Sequence, residues 1–204
     1  MPLTSFIIAA LALNLAPGPD MTYVAARALA QGRRAGIVSA LGIFVGCWFH
    51  IFAAAAGFAV LLRTVPQAYI AVRLVGSLYL VYLGVGLIRR AGTGSGPAVL
   101  GRDTEWAIFR QGLITNVLNP KVALFFLAFL PQFVDPARGS VAMQTLGLGL
   151  FFDTSGTLVN IGVAIAAARA GGALQSANAR AWIERASGAV LVGLGARLAF
   201  SRAT

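Results

Sequence analysis

The feature that most constrains this chain is a succession of apolar runs, each about 20 residues long and separated by short basic punctuation. A bilayer core takes roughly 17 to 25 mainly apolar residues per helical crossing. Six such runs can be drawn, at about residues 3–26, 37–62, 68–88, 111–134, 141–168 and 182–200. They leave almost nothing for a soluble domain: 58% of the 204 residues are hydrophobic and only 11% are charged. None of the runs alternates like a strand, and all exceed the roughly ten residues of a barrel strand. Helices are the remaining way to satisfy backbone groups in lipid. The expected fold class is an all-α integral membrane protein: six transmembrane helices in one domain spanning residues 1–204.

The net charge of +10 would suit a nucleic-acid binder if it formed a face. The arginines instead fall at the ends of apolar runs, without interleaved aromatics, so no nucleic-acid partner is expected. Sorting of positive charge to the cytoplasmic side explains them better. Ten arginines, from Arg27, Arg33 and Arg34 through Arg89, Arg90, Arg102 and Arg110 to Arg169, Arg180 and Arg185, share one side, against five on the other. The richer side is expected to be cytoplasmic, with both termini outside. Cys47 is the single cysteine, which removes disulfide and paired-thiol chemistry. The first run lacks the basic start of a signal peptide and resumes after its prolines, so it reads as one interrupted span that is retained.

The longest connection, about residues 91–109, contains Gly92-Thr93-Gly94-Ser95-Gly96-Pro97, a flexible composition. It separates a first repeat, about 1–90, from a second, about 110–204. Three spans in each half would place the halves in the membrane in opposite senses. Matching features recur in order. Pro17, Gly18, Pro19 and Asp20 interrupt the first span, and Asn119, Pro120 and Lys121 interrupt the fourth. A further asparagine, Asn14 or Asn116, precedes each break. The second span reads Gly42-x3-Gly46-x3-His50, and the fifth Gly149-x3-Asp153-x2-Gly156-x3-Asn160. Broken spans at corresponding places in two inverted halves point to a transport site near the midplane.

Proline removes one backbone N–H and clashes with the preceding turn, so Pro17, Pro19 and Pro120 unwind their helices, with Gly18 adding conformational freedom. The freed groups must then meet protein or water, which turns both breaks inward. Lys121, the only lysine among sixteen basic residues, lies about ten residues into its span. That is roughly 15 Å deep at 1.5 Å per residue, and it demands a partner. The expected partner is Asp20, either as a structural pair or with Lys121 taking a solute carboxylate and Asp20 an ammonium group or a proton. His50 and Asp153 lie at mid-depth of their spans and are placed to approach one another. The histidine is either a hydrogen-bonded core residue or a proton carrier, and the aspartate should face a cavity. The glycine spacings read as close helix packing. Asn14, Asn116, Asn119, Asp20, His50, Lys121 and Asp153 are thus the candidate substrate or proton residues.

No zinc-protease, nucleophile-elbow or phosphate-loop motif occurs, so no enzymatic activity, metal or cofactor is expected. A membrane enzyme or an assembly protein without transport activity is the alternative. The stretches "LAPGPDMTYVAARALAQGRRAGIVSALGIFVGCWFH", "RLVGSLYLVYLGVGLI" and "ITNVLNPKVALFFLAFLPQFV" resemble the LysE/RhtB family of bacterial amino-acid exporters over essentially the whole chain. The two breaks at their spacing carry the likeness. The resemblance implies a six-span protein of the cytoplasmic membrane that exports amino acids or close derivatives under the proton-motive force. With few deep acids to hold a second positive charge, neutral substrates are favoured over basic ones. The many glycines permit a homodimer.

Overall fold

In the computed structural model, residues 3–64 and 102–170 are described continuously, together with isolated positions between 74 and 91 and between 181 and 196. The predicted third and sixth spans and most of the glycine-rich linker therefore lie outside the described residues. Six α-helices organise the rest: α1 (Leu3–Leu15), α2 (Pro19–Gln31), α3 (Arg33–Thr64), α4 (Glu105–Val117), α5 (Pro120–Leu124) and α6 (Val141–Ala170). After α5 the chain continues through a π-helical turn, Phe125–Phe129, and a 3-10 turn, Leu130–Phe133. No strand occurs among the described residues.

Two helices are long and apolar enough to cross a membrane unaided, α3 over Arg33–Gly57 and α6 over Val141–Arg169. Two bent pairs are apolar and long enough only when taken together: α1 with α2 turns by 44°, and α4 with the Pro120–Phe133 segment turns by 42°. On α3, Leu41, Val45, Phe49 and Phe52 are exposed along one stripe, while Ala40, Ile43, Cys47, Ile51 and Ala54 are buried on another. A helix that is apolar on both its buried and its exposed faces belongs in lipid.

Two boundaries differ from the sequence reading. Helix α2 runs on to Gln31, past the predicted end at 26, because Arg27 is buried and partnered rather than facing headgroups. Helix α4 starts at Glu105, inside the stretch read as linker, because the Thr104 hydroxyl accepts from the Ala107 N–H at 3.3 Å and caps it. Hydropathy is insensitive to both devices.

Glycines set how closely α3 and α4 cross. A Cβ on Gly42 would stand 2.1 Å from the Phe109 carbonyl oxygen, and one on Gly112 would stand 2.5 Å from that of Ser39. Backbones can approach this closely only where no side chain intervenes. At one end of the bundle an aromatic cluster fills the core. Phe6 of α1 meets Phe125, Phe129, Phe133 and Phe151, and Phe125 stacks on Phe152 with ring centroids 4.1 Å apart.

Candidate functional site

Each break is sealed by a residue from elsewhere in the chain. In an unbroken helix the Leu13 carbonyl would accept from the N–H of residue 17, which Pro17 lacks. Gly18 is extended, at φ −161° and ψ −174°, so the Ala16 carbonyl also leaves the helical ladder. Lys121 reaches across to both, its Nζ donating to Leu13 O at 3.1 Å and to Ala16 O at 2.9 Å. A Cβ on Gly18 would lie 3.0 Å from that Nζ and 3.2 Å from Cε, so glycine at this position leaves the lysine its path.

The second break follows the same rule. Pro120 cannot donate to the Asn116 carbonyl, and His50 Nε2 meets that oxygen at 3.0 Å, joined by the Asn119 N–H at 2.9 Å. A carbonyl partner requires Nε2 to carry the ring proton. Asn119 caps α5, its Oδ1 accepting from the Lys121 N–H at 3.0 Å, and Pro120 occupies the first helical position, where its missing N–H costs nothing.

These contacts correct two expectations. Asp20 and Lys121 line the same cavity but form no ion pair among the described residues. Asp20 Oδ2 instead accepts from Asn116 Nδ2 at 2.8 Å, because the lysine is engaged by the carbonyls that Pro17 and Gly18 release. His50 turns to the Asn116 carbonyl and stacks on Phe126, with ring centroids 6.1 Å apart, rather than meeting Asp153. Asp153 lies beside the Cys47 thiol.

The asparagines before the breaks dock against glycines. Asn14 Nδ2 donates to Phe152 O and Ser155 Oγ of α6, each at 3.0 Å, and a Cβ on Gly156 would stand 2.9 Å from Asn14 Oδ1. Likewise a Cβ on Gly46 would stand 3.0 Å from that of Asn116.

Between the breaks lies a cavity of about 30 Å³, lined by Asn14, Asp20, Met21, Ile43, Cys47, Asn116, Lys121, Val122, Phe152, Asp153, Gly156, Thr157 and Asn160. Such a volume holds a water or two. Of the seven candidate residues, five line it: Asn14, Asp20, Asn116, Lys121 and Asp153. Asn119 and His50 are buried behind it as caps. Several acceptor atoms around the cavity lack a partner: Asp20 Oδ1, Asn116 Oδ1, Asp153 Oδ2 and Thr157 Oγ.

The sequence reading missed a second polar cluster, towards the end of α2. Arg27 is 2% exposed; its Nε meets Tyr23 Oη at 3.2 Å and its guanidinium also binds Gln31 Oε1, Gln111 Oε1 and the Asp103 carboxylate. Gln31 in turn clasps the Asp103 backbone, donating to its carbonyl at 2.8 Å and accepting from its N–H at 3.0 Å. The available signal was the spacing Tyr23-x3-Arg27-x3-Gln31, a polar stripe on one helical face. Outside it, Arg34 pairs with Glu105 at the surface.

The fold and cavity define an α-helical membrane protein with a polar interior held between two bent helix pairs. Sequence comparison gives the family: the chain matches the LysE type translocator profile over residues 11–202 and belongs to that family. It is similar to a leucine efflux protein of Salmonella typhimurium, 34% identical over 132 residues. That alignment covers 64% of this chain and 62% of the relative's length. An uncharacterised membrane protein of Pseudomonas aeruginosa is 30% identical, with 96% of this chain and 93% of that protein aligned. One from Vibrio cholerae is 27% identical, with 98% and 97% covered. No solved structure matches.

Proposed function

We propose that this chain exports amino acids or close derivatives across the bacterial cytoplasmic membrane, by secondary-active transport driven by the proton-motive force. The observation that carries the reading is the cavity between the two breaks, where Lys121 offers a donor and Asp20, Asn116, Asp153 and Thr157 offer acceptors. A zwitterion needs both kinds of group within a few ångströms. Membership of a translocator family and similarity to a leucine efflux protein support the same reading.

Neutral amino acids are the proposed substrates. Two carboxylates line the cavity together with Lys121, leaving little compensation for a second cationic group. With the arginine-rich side cytoplasmic, the Arg27 cluster would close the cavity from within and the Phe6 cluster from outside. A cavity with room only for water must open before a solute enters, by relative movement of the bent pairs. Two inverted three-span repeats account for the similar bends of 44° and 42° and for the matched asparagine and glycine docking.

Uptake of labelled leucine, threonine and lysine into inverted membrane vesicles under an imposed proton gradient tests this. Accumulation of a neutral amino acid that a protonophore abolishes is expected. No accumulation of any amino acid would overturn export, and preferential accumulation of lysine would overturn the substrate class.

A further inference from the structure

Asp153 is the carboxylate that α6 brings to the cavity. It is 4% exposed, and its Oδ2 has no hydrogen-bond partner. Thr157 lies one turn further along α6, so both side chains share a face, and its buried Oγ also lacks a partner. Asn160, a turn beyond, lines the same wall. Asp20, the other carboxylate, takes the Asn116 amide on Oδ2 and leaves Oδ1 without a partner, whereas Asp153 has beside it only the Cys47 thiol, a weaker donor. The titratable and charged groups facing this region are Asp20 from α2, Lys121 from α5 and Cys47 from α3; His50, also on α3, is engaged with the Asn116 carbonyl. A second cation would be repelled by Lys121 near Asp20 and accepted more readily at Asp153.

A buried carboxylate in a membrane interior, with one oxygen unpartnered and only the weak donor of the Cys47 thiol beside it, needs a positive charge or a proton. Two unpartnered acceptors one helical turn apart match the several donors of a primary ammonium group. We infer that Asp153 and Thr157 form the receptor for the substrate's α-ammonium group, and that this ammonium and a proton occupy Asp153 in alternation. The inference rests on the export reading and supplies its coupling step. Arrival of R–NH3+ leaves the carboxyl as carboxylate and sends its proton to solvent; return of a proton releases the ammonium. Mutually exclusive occupancy of one carboxylate exchanges a proton for a solute so long as the cavity changes sides only when the carboxylate is occupied.

The test measures proton release from purified full-length protein in lightly buffered detergent. Four probes are added in turn: leucine, 3-methylbutylammonium chloride, sodium 4-methylpentanoate and sodium chloride. Cys47, which lines the cavity from α3, provides a second readout through protection from methanethiosulfonate labelling. Leucine and the amine should each release up to one proton per chain and slow the labelling of Cys47, while the carboxylate and sodium chloride do neither. Asp153→Asn should abolish release. Thr157→Val should weaken half-saturation by about tenfold, the loss of a hydrogen bond to a charged group, and Thr157→Ser should restore it. Because Thr157 variants retain the carboxylate, they test the site even if Asp153→Asn fails to fold. Equal release by sodium chloride would make this an alkali-cation site and overturn the ammonium assignment. Release that persists in Asp153→Asn, absence of release with every cation, or unchanged half-saturation in Thr157→Val would each overturn the inference. Failure of the export reading looks different: leucine would not cross vesicles, while the amine would still displace a proton. Conversely, proton-driven export that survives Asp153→Asn would leave export standing without this site.

Discussion

If Lys121 serves as a cap for the first break, replacing it with methionine strands two backbone carbonyls, Leu13 O and Ala16 O, that it now holds at 3.1 and 2.9 Å. Each buried acceptor left without a donor costs about 1–3 kcal/mol, so Lys121→Met should destabilise the protein by about 2–6 kcal/mol. The cap model makes a sharper demand. Leu13 O lacks a helical donor because residue 17 is proline, and Pro17→Ala restores that N–H. In the Pro17→Ala background only Ala16 O remains dependent on the lysine, so the cost of Lys121→Met should fall by roughly half, a coupling of about 1–3 kcal/mol. The comparison background is Asp20→Asn. If the lysine were there chiefly to neutralise Asp20, that change would relieve Lys121→Met by the several kcal/mol of a broken buried pair. The six proteins of the two cycles can be compared by reversible unfolding in mixed detergent and lauryl sulfate micelles. Relief by Asp20→Asn together with no relief by Pro17→Ala would refute the cap and restore the ion pair as the reason for the lysine.

Two more predictions follow from packing and the second polar cluster. Gly42→Ala places a methyl group 2.1 Å from the Phe109 carbonyl oxygen, so α3 and α4 must separate; a loss of about 1–3 kcal/mol or more is expected by the same unfolding assay. Gly57→Ala, with nothing within 4 Å, should be neutral or stabilise by up to about 1 kcal/mol, and equal effects at the two sites would contradict the close crossing. Arg27→Met removes the centre of the cluster joining α2, α4 and Asp103, a loss of about 1–3 kcal/mol, and each 1.4 kcal/mol is a tenfold change in an equilibrium. Buried Cys47 should therefore react with a small methanethiosulfonate about tenfold faster in membranes, and an unchanged rate would show that the cluster does not control access to the cavity.

Much of this arrangement can be read from the residues, and its limits have physical causes. Hydropathy reveals the helical membrane class because lipid admits few backbone solutions. The Pro17-Gly18-Pro19 and Asn119-Pro120 steps reveal both interruptions because proline acts on its own chain wherever it stands. The partners of Lys121 and His50 were not legible, since side-chain reasoning seeks opposite charges, whereas both residues found backbone carbonyls. With hindsight the rule is simple: count four residues back from each proline and ask what replaces its missing N–H. At Pro17 that carbonyl belongs to Leu13, and at Pro120 to Asn116, and each is taken by a remote donor. Arg27 escaped notice because an arginine near a predicted helix end looks like topological punctuation, and nothing in the sequence separates a buried one from one at the headgroups. Thr157 escaped because a threonine in an apolar run is common; its relation to Asp153 matters only once a cavity lies beside both.

The dependence of each break on a distant donor has a consequence for biogenesis. As the chain emerges from the ribosome, the first span enters the membrane about a hundred residues before the lysine that completes it. Until then its exposed peptide groups must be sheltered by water or by the insertion machinery. A nascent product stopped in the glycine-rich connection would hold an unfinished helix, a natural target for membrane proteolysis. The two halves are accordingly not separable modules: Lys121 of the second finishes the break of the first, and His50 of the first finishes the break of the second.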